Sequence, residues 1–156
     1  MRTTPGAVIT LCFAIISGTL FSQDKAATTA ISDRFIGAWR LVSIEEPDAK
    51  GKIHTADCTG VLVFTRDGHI SVQVMYRNPQ AANSAAPVQY TQGGYEASFG
   101  TYHIDDARSF SYHVEGALVR TLVGKDLSRI YEFSSNRLIV KSLDPSEQWK
   151  VTWERY

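Results

Sequence analysis

The sequence predicts an all-β fold of antiparallel strands, arranged as a sandwich or a barrel. From residue 37 onward, short runs rich in β-branched and aromatic residues alternate with turn residues. None of these runs has the sustained 3.6-residue periodicity of an amphipathic helix, which argues against a βαβ arrangement. The chain has 156 residues, of which 44% are apolar, and this is enough for one domain with its own core.

The first residues have the layout of a secretory signal peptide. Arg2 precedes the uncharged run "AVITLCFAIISGTLF", and polar residues return at "SQDK". That run has about 15 residues, whereas a membrane-spanning helix needs roughly 20. We therefore expect cleavage of residues 1–22, a linker over 23–34 and a folded domain over 35–156. The alternatives are cleavage near Ala30, a retained anchor and a lipoprotein attached through Cys12.

Charge and cysteine content narrow the possible partners. The chain carries 16 basic and 16 acidic residues, and loss of Arg2 with the signal leaves the mature protein close to neutral. A neutral protein lacks the basic excess that nucleic acids and anionic membranes attract. After cleavage Cys58 is the one remaining cysteine, so an internal disulfide is excluded. Burial of the thiol is expected, and the alternative is a disulfide between two chains. The composition leaves the oligomeric state open.

About eight strands are predicted, each bounded by turn residues. They lie near 37–46, 59–66, 69–77, 98–104, 109–118, 127–134, 137–143 and 148–155.

The clearest local signal is a hairpin in "VLVFTRDGHISVQVMY". Asp67-Gly68 suits a two-residue type I′ turn, whose central residues have positive φ. That turn places Arg66 opposite His69, and side chains alternate between two faces along each strand. The more apolar face is expected to point inward, and it holds Val61, Val63, Thr65, Ile70, Val72, Val74 and Tyr76.

The first and last strands are expected to contribute aromatic side chains to the interior. If the charged positions face solvent, the inward residues are Trp39, Leu41 and Ser43 on the first strand and Trp149, Val151, Trp153 and Arg155 on the last. A guanidinium can stack on an indole while it donates hydrogen bonds to backbone carbonyls. We therefore predict that Arg155 stacks on Trp39. The alternative is a solvated Arg155 near a frayed terminus.

Several stretches together resemble the bacterial and fungal lipocalin-like domain proteins of the calycin superfamily. They are "GAWRLVS", "TGVLVFTRDGHISVQVMYR", "GTYHID", "SYHVEGALV", "RIYEFSSNRLIV" and the final "WERY", and they span about 35–156. The resemblance implies a single up-and-down antiparallel β-barrel of about eight strands, closed where Gly37 and Trp39 meet Trp153 and Arg155. It also implies an internal cavity for a small apolar molecule, because a barrel of about eight strands can hold one ligand.

The stretch "FGTYHIDDARSFSYHV" predicts a second hairpin, and with it the cavity lining. A two- or four-residue loop around Asp106-Ala107 places one aromatic face inward, with Phe99, Thr101, His103, Phe110, Tyr112 and Val114. His113 then lies on the opposite face, but a one-residue bulge would exchange the two histidines. Both His103 and His113 are therefore candidate catalytic residues, with His103 preferred.

Arg129 is the candidate for binding a polar head group. It shares the inward side of "RIYEFS" with Tyr131, and an Arg fork matches a carboxylate with two hydrogen bonds. The alternative is a surface ion pair with Asp126 or Glu132. The complete predicted ligand-binding set is Val72, Val74, Tyr76, Phe99, Thr101, His103, Tyr112, Arg129 and Tyr131.

Sequence motifs of catalysis are absent. There is no Gly-x-Ser-x-Gly elbow, His-Glu-x-x-His, Cys-x-x-Cys or phosphate loop, and the four histidines lack metal-ligand spacing. We expect no metal and no cofactor. The leading hypothesis is a secreted or periplasmic protein that binds a small apolar or amphipathic molecule. The alternatives are a cofactor-free isomerase or cyclase acting in the same cavity, and a packed interaction protein that makes contact through "NPQAANSAAPVQYTQGG".

Overall fold

The computed structural model describes residues 30–78 and 94–156. The predicted signal peptide and nearly all of the predicted contact loop lie outside these residues. A helix, α1, occupies 30–35 and so overlaps the end of the predicted linker. The strands are β1 (Gly37–Pro47), β2 (Ile53–Ala56), β3 (Cys58–Phe64), β4 (His69–Tyr76), β5 (Tyr95–Ile104), β6 (Ser109–Ala117), β7 (Asp126–Ser134), β8 (Arg137–Ser142) and β9 (Lys150–Arg155). A 3₁₀ turn at Arg120–Leu122 lies between β6 and β7.

The strands form a closed antiparallel barrel. Each of β3 to β9 pairs with its neighbour in sequence, β1 pairs with β3, and β9 pairs back to β1. The described part of the wall thus has eight strands, which confirms the predicted up-and-down barrel. The short strand β2 pairs with the second half of β1 beyond β3 and was not predicted. Its four residues are too few to show the alternation of apolar and polar side chains from which a strand is predicted.

Two hairpins have three-residue loops, and this corrects the predicted faces of two strands. In β3–β4, the Thr65 amide donates to the His69 carbonyl at 2.9 Å, and Gly68 closes the loop with φ of 91°. Phe64 is therefore opposite Ile70, and it is Leu62 and Phe64 that point inward. The β4 residues were predicted correctly. Val61 and Val63 of β3, and Thr65 just after it, were assigned to the wrong face, because a loop with an odd number of residues shifts the pairing by one residue.

The β5–β6 hairpin differs from its prediction in the same way. The Asp105 amide donates to the Ser109 carbonyl at 3.1 Å, and Tyr102 is opposite Tyr112. The inward β6 residues Phe110, Tyr112 and Val114 were predicted correctly. Their predicted β5 partners point outward instead. These partners are Phe99, Thr101 and His103.

A β-bulge changes the inward face of β1. The pairing with β9 shifts by one residue between Leu41 and Ser43, so that Val42 is 42% exposed. Beyond the bulge, Ile44 and Glu46 are buried, and Ser43 does not hold the inward position predicted for it. A single extra residue of this kind reverses every later side chain of the strand.

Phe35, at the end of α1, plugs one end of the barrel. Its side chain is fully buried and lies among five aromatic rings, with centroid distances of 4.8–6.2 Å. Those rings belong to Phe64, Tyr102, Phe110, Tyr131 and Phe133. Most of the pairs are edge-to-face, the geometry that aromatic quadrupoles favour.

The predicted stacking of Arg155 on Trp39 is present at this end. Arg155 Cζ lies 4.4 Å from the centre of a Trp39 ring, and Arg155 donates to the carbonyls of Ile36 at 2.6 Å and Arg34 at 2.5 Å. Trp39 donates its indole N–H to the Phe35 carbonyl at 2.8 Å. Arg155 itself is exposed, so it covers the buried indole from outside and does not project into the interior.

Position 37 requires glycine for two reasons. Gly37 has φ of 128°, which side chains rarely adopt. A Cβ at this position would also lie 2.9 Å from Arg155 Nη1. The Gly-x-Trp pattern thus leaves room for the guanidinium.

Cys58 is buried on β3, as expected. Burial is the main cause that raises the pKa of its thiol to about 12, so the thiol stays protonated and behaves as a small apolar group.

Replacement of the plug is expected to destabilise the barrel. Phe35→Ala should lower the free energy of unfolding by about 3–5 kcal/mol, because it leaves a cavity among five rings. Urea unfolding followed by circular dichroism measures this. The control Phe99→Ala removes a ring that is 56% exposed and should cost less than about 1 kcal/mol. An equal decrease in the free energy of unfolding for both variants would contradict a stabilising role of the Phe35 plug.

Loss of the Arg155 contact should destabilise the barrel less strongly. Arg155→Met removes the cation–π contact and two charged hydrogen bonds, with an expected cost of about 1–3 kcal/mol. Arg40→Met is the control, since Arg40 makes a surface ion pair with Glu154 at 2.6 Å and is 56% exposed. Such a pair contributes about 0–1 kcal/mol. A larger loss in the control would contradict the assigned role of Arg155.

Candidate functional site

All eight wall strands contribute side chains to one internal cavity. Its water-accessible volume is about 90 Å³. The lining residues are Ile44, Glu46, Leu62, Ile70, Val72, Val74, Glu96, Phe110, Tyr112, Leu127, Arg129, Val140, Trp149, Val151 and Trp153. Phe110 separates the cavity from the plug, because it also packs on Phe35 at a centroid distance of 5.6 Å.

Arg129 carries a buried positive charge into this cavity, as the alternation along β7 predicted. Its side chain is 12% exposed, and burial lowers the pKa of the guanidinium. One nitrogen donates to the Ser128 carbonyl at 3.1 Å, and Glu147 Oε2 lies 3.9 Å away. The Trp149 ring lies 5.0 Å from Arg129 Cζ. Arg129 therefore has a loose ion pair at the edge of the cavity, and it does not pair at the surface with Asp126 or Glu132.

Glu96 is a partly buried carboxyl with little stabilisation of its charge. Burial raises its pKa to about 7, against weaker opposing effects from Arg129 and Ser98. The Ser98 hydroxyl donates to Glu96 at 3.4 Å, a long hydrogen bond. Within the described residues, no basic nitrogen lies within 4.0 Å of it. A carboxyl in these surroundings changes its protonation state near neutral pH.

The Tyr112 hydroxyl is buried without a hydrogen-bond partner among residues 30–78 and 94–156. Burial raises its pKa to about 12, so it is a neutral O–H donor. The Ser98 hydroxyl offsets part of that increase, but the two groups do not meet the geometry of a hydrogen bond. An unpaired buried hydroxyl costs about 1–3 kcal/mol, so a partner that enters the cavity would recover this free energy.

A second acidic group lies on the β1 side of the cavity. Glu46 is 1% exposed and accepts a short hydrogen bond from the Tyr76 hydroxyl. His54 Nε2 is 3.9 Å from the same carboxylate. Glu46 is therefore held by its own neighbours.

The predicted ligand-binding residues separate into three groups. Those that line the cavity are Val72, Val74, Tyr112 and Arg129. Tyr76 and Tyr131 are buried elsewhere: Tyr76 bonds to Glu46, and Tyr131 packs on Phe35 and donates to the Asp106 carbonyl at 3.0 Å. The three-residue loop places the remaining candidates, Phe99, Thr101 and His103, on the outer face of β5.

Neither candidate histidine faces the cavity. His103 is exposed. His113 is 48% exposed and pairs with Asp126 at 2.7 Å on the outer face of β6. The bulge that would have exchanged the two histidines is absent between Gly100 and Ile104, where the β5–β6 pairing is regular.

The sequence pattern did not predict two acidic residues of the cavity, Glu96 and Glu46. Glu96 precedes the predicted strand at 98–104, and its inward direction follows only from the corrected pairing. Glu46 points inward because of the bulge at Val42, and no pattern in the sequence predicts that bulge. Both are visible only once the pairing is known.

Other kinds of site are not found in the described segments. No three His, Cys, Asp or Glu side chains there are grouped so as to hold a metal ion. The same segments contain no helix that is both long and apolar enough to cross a membrane.

Glu96 should make stability depend on pH in an unusual direction. Its pKa is raised from 4.5 to about 7 on folding, so the folded state binds the extra proton between these values. Stability should therefore fall as pH rises through this window, by about 3 kcal/mol for this one group. Urea unfolding at several pH values, compared with Glu96→Gln, isolates the effect. Parallel profiles for the two proteins would contradict it.

A comparison with protein families matches most of the chain. The lipocalin-like domain model matches residues 36–156. A lipocalin-like protein from Bacteroides uniformis is 16% identical with a TM-score of 0.47, and the alignment covers 79% of this chain and 99% of that one. An uncharacterized protein from Bacteroides eggerthii is 15% identical with a TM-score of 0.47, over 78% and 99% of the two chains. A comparison with curated proteins finds no match.

A lipocalin-like barrel supports a general role in binding small molecules. Because the matched region runs from the residue before β1 to the last residue of the chain, the protein belongs to the lipocalin-like domain family.

Proposed function

We propose that the protein is exported and that its barrel binds one small amphipathic molecule in the internal cavity. The apolar body of this molecule would lie against aliphatic side chains of β3 and β4, chiefly Leu62, Ile70 and Val72. Its polar group would reach Arg129, Tyr112 and Glu96. A largely apolar cavity with a few placed polar groups is typical of small-molecule sites.

The observation that carries the proposal is the incomplete pairing of these polar groups. Tyr112 lacks a hydrogen-bond partner among the described residues, and Glu96 has one long bond. Buried polar groups are normally paired, and exceptions call for an explanation. A ligand that supplies the missing acceptor and donor would complete the hydrogen bonding of Tyr112, Glu96 and Arg129 together. A cavity of this size favours a short or slender ligand.

Export is supported by the sequence of residues 1–22, with its basic start and apolar run. The protein would then act in the periplasm or outside the cell. Fractionation of the native host, with the mass of the mature protein, tests this. A protein that keeps residues 1–22 in the cytoplasm would end this part of the proposal.

The isomerase or cyclase alternative depends on different residues from those expected. His103 and His113 point away from the cavity, so they cannot transfer a proton inside it. Glu96 is the group that favours the alternative, since a carboxyl with a pKa of about 7 can act as general acid or base. Turnover of a bound molecule that is lost in Glu96→Gln, with binding retained, would favour catalysis.

Filling the cavity should block binding. Val72→Phe places a ring in a space of about 90 Å³ and should weaken the binding of 1-octanol by at least about tenfold. Titration followed by the fluorescence of the lining residues Trp149 and Trp153 measures this. Met75→Phe is the matched control, because Met75 is on the same strand, points outward and is 44% exposed.

Each result has a clear meaning. Unchanged binding in Met75→Phe, with thermal stability preserved in both variants, would support the internal site. Equal binding in both variants, or no binding of 1-octanol by the wild-type protein at millimolar concentration, would count against it.

A further inference from the structure

We infer that the polar group of the ligand is a carboxylate bound by Arg129, and that Glu96 takes up a proton from solvent when this carboxylate enters. The inference rests on the proposed function and deepens it, since it names the head group and the coupled proton. Three strands that are consecutive in the barrel, β5, β6 and β7, supply Glu96, Tyr112 and Arg129 to one cavity.

Arg129 has unused hydrogen-bond donors within the described residues. The guanidinium has five N–H donors, and within the described residues it makes one hydrogen bond, to the Ser128 carbonyl. Its nearest carboxylate, Glu147, is at 3.9 Å and is partly exposed. The indole N–H of Trp149 also donates to Glu147, at 3.2 Å. Donors of Arg129 therefore remain for a carboxylate in the cavity, where charge-assisted bonds are strong.

The charges around Glu96 favour its protonation when a carboxylate enters the cavity. Among the described residues, the titratable groups that line the cavity with Glu96 are Arg129 on β7, Tyr112 on β6 and Glu46 on β1. Glu147, before β9, lies 3.9 Å from Arg129. Tyr112 is neutral, and Glu46 is held by Tyr76. If Glu96 were ionised, an entering carboxylate would meet more negative than positive charge in a medium of low dielectric constant. Protonation of Glu96 removes its own contribution to that repulsion.

Protonation of Glu96 changes the hydrogen bonds that it can make. Its carboxyl has a long bond from Ser98 and no basic nitrogen within 4.0 Å in the described segments, so loss of its charge breaks no ion pair. The protonated group gains an O–H donor. Arg129, Tyr112 and Glu96 then present donors to one carboxylate, which satisfies the Tyr112 hydroxyl as well.

The pKa of Glu96 agrees with proton uptake when a carboxylate binds. Because burial raises the pKa of Glu96 to about 7, the free protein is partly protonated at neutral pH. A second negative charge in the cavity raises that pKa further, so binding draws in a proton. Affinity for the carboxylate should therefore fall as pH rises above about 7, by up to about tenfold per pH unit.

Calorimetry with octanoate and 1-octanol tests the inference on the full mature chain. Both probes have the same apolar body, and octanoate stays ionised from about pH 6 to 9 because an ordinary carboxyl titrates near ~4. Titrations at pH 7 in two buffers of different ionisation enthalpy measure the protons taken up. We expect a fraction of one proton for octanoate, none for 1-octanol, and at least about tenfold weaker octanoate binding at pH 8.5 than at pH 6.5.

Two variants assign the effect to residues. Glu96→Gln cannot ionise, so its octanoate affinity should stay constant over this pH range with no proton uptake. Arg129→Met should weaken octanoate by at least about tenfold and leave 1-octanol within about threefold. Glu115→Gln, an exposed change on β6, is the matched control and should behave as wild type. Circular dichroism confirms that each variant is folded.

The outcomes separate this inference from the function beneath it. Binding of 1-octanol without octanoate would overturn the carboxylate and leave the proposed function standing. Octanoate binding with no pH dependence, or the same dependence in Glu96→Gln, would overturn the role of Glu96. If neither probe binds, both the inference and the proposed function fail.

Discussion

The pairing of β1 with β9 is the constraint on which the rest of the structure depends. It turns a meandering sheet into a closed barrel with no open edge along this seam, and so creates an inside. Trp39 and Arg155 lie opposite each other across this pairing. The guanidinium covers the indole and ties the last strand to the carbonyls of residues 34 and 36, so one side chain links three parts of the chain.

Closure also determines how the two ends of the interior differ. At one end α1 inserts Phe35 into a ring of aromatic side chains, and the space there is filled. Beyond Phe110 the inward residues are mostly aliphatic, and the cavity remains. The plug and the cavity thus share Phe110 as a common wall.

Within that cavity, closure turns ordinary polar side chains into chemically distinctive ones. Glu96, Tyr112 and Arg129 would be unremarkable in water. Enclosed by apolar neighbours, the carboxyl holds its proton to about pH 7 and the hydroxyl lies without a partner among the described residues. Since a buried polar group is costly until it is paired, the same enclosure that perturbs these groups also favours a ligand that pairs them. Fold and head-group chemistry are therefore linked by desolvation.

The sequence by itself determined the strands, because alternation and turn residues are local properties. It also predicted the inward faces of β4, β6 and β7, including Arg129, the inward β9 residues Val151 and Trp153, and the stacking of Arg155 on Trp39. The tertiary structure alone decided the rest. Two three-residue loops and the bulge at Val42 each shifted a pairing by one residue, which moved His103 outside and turned Glu46 and Glu96 inward. The physical reason is the two-residue repeat of a strand. The alternation of side chains between two faces is encoded locally, but which face meets the interior depends on pairing with a distant segment.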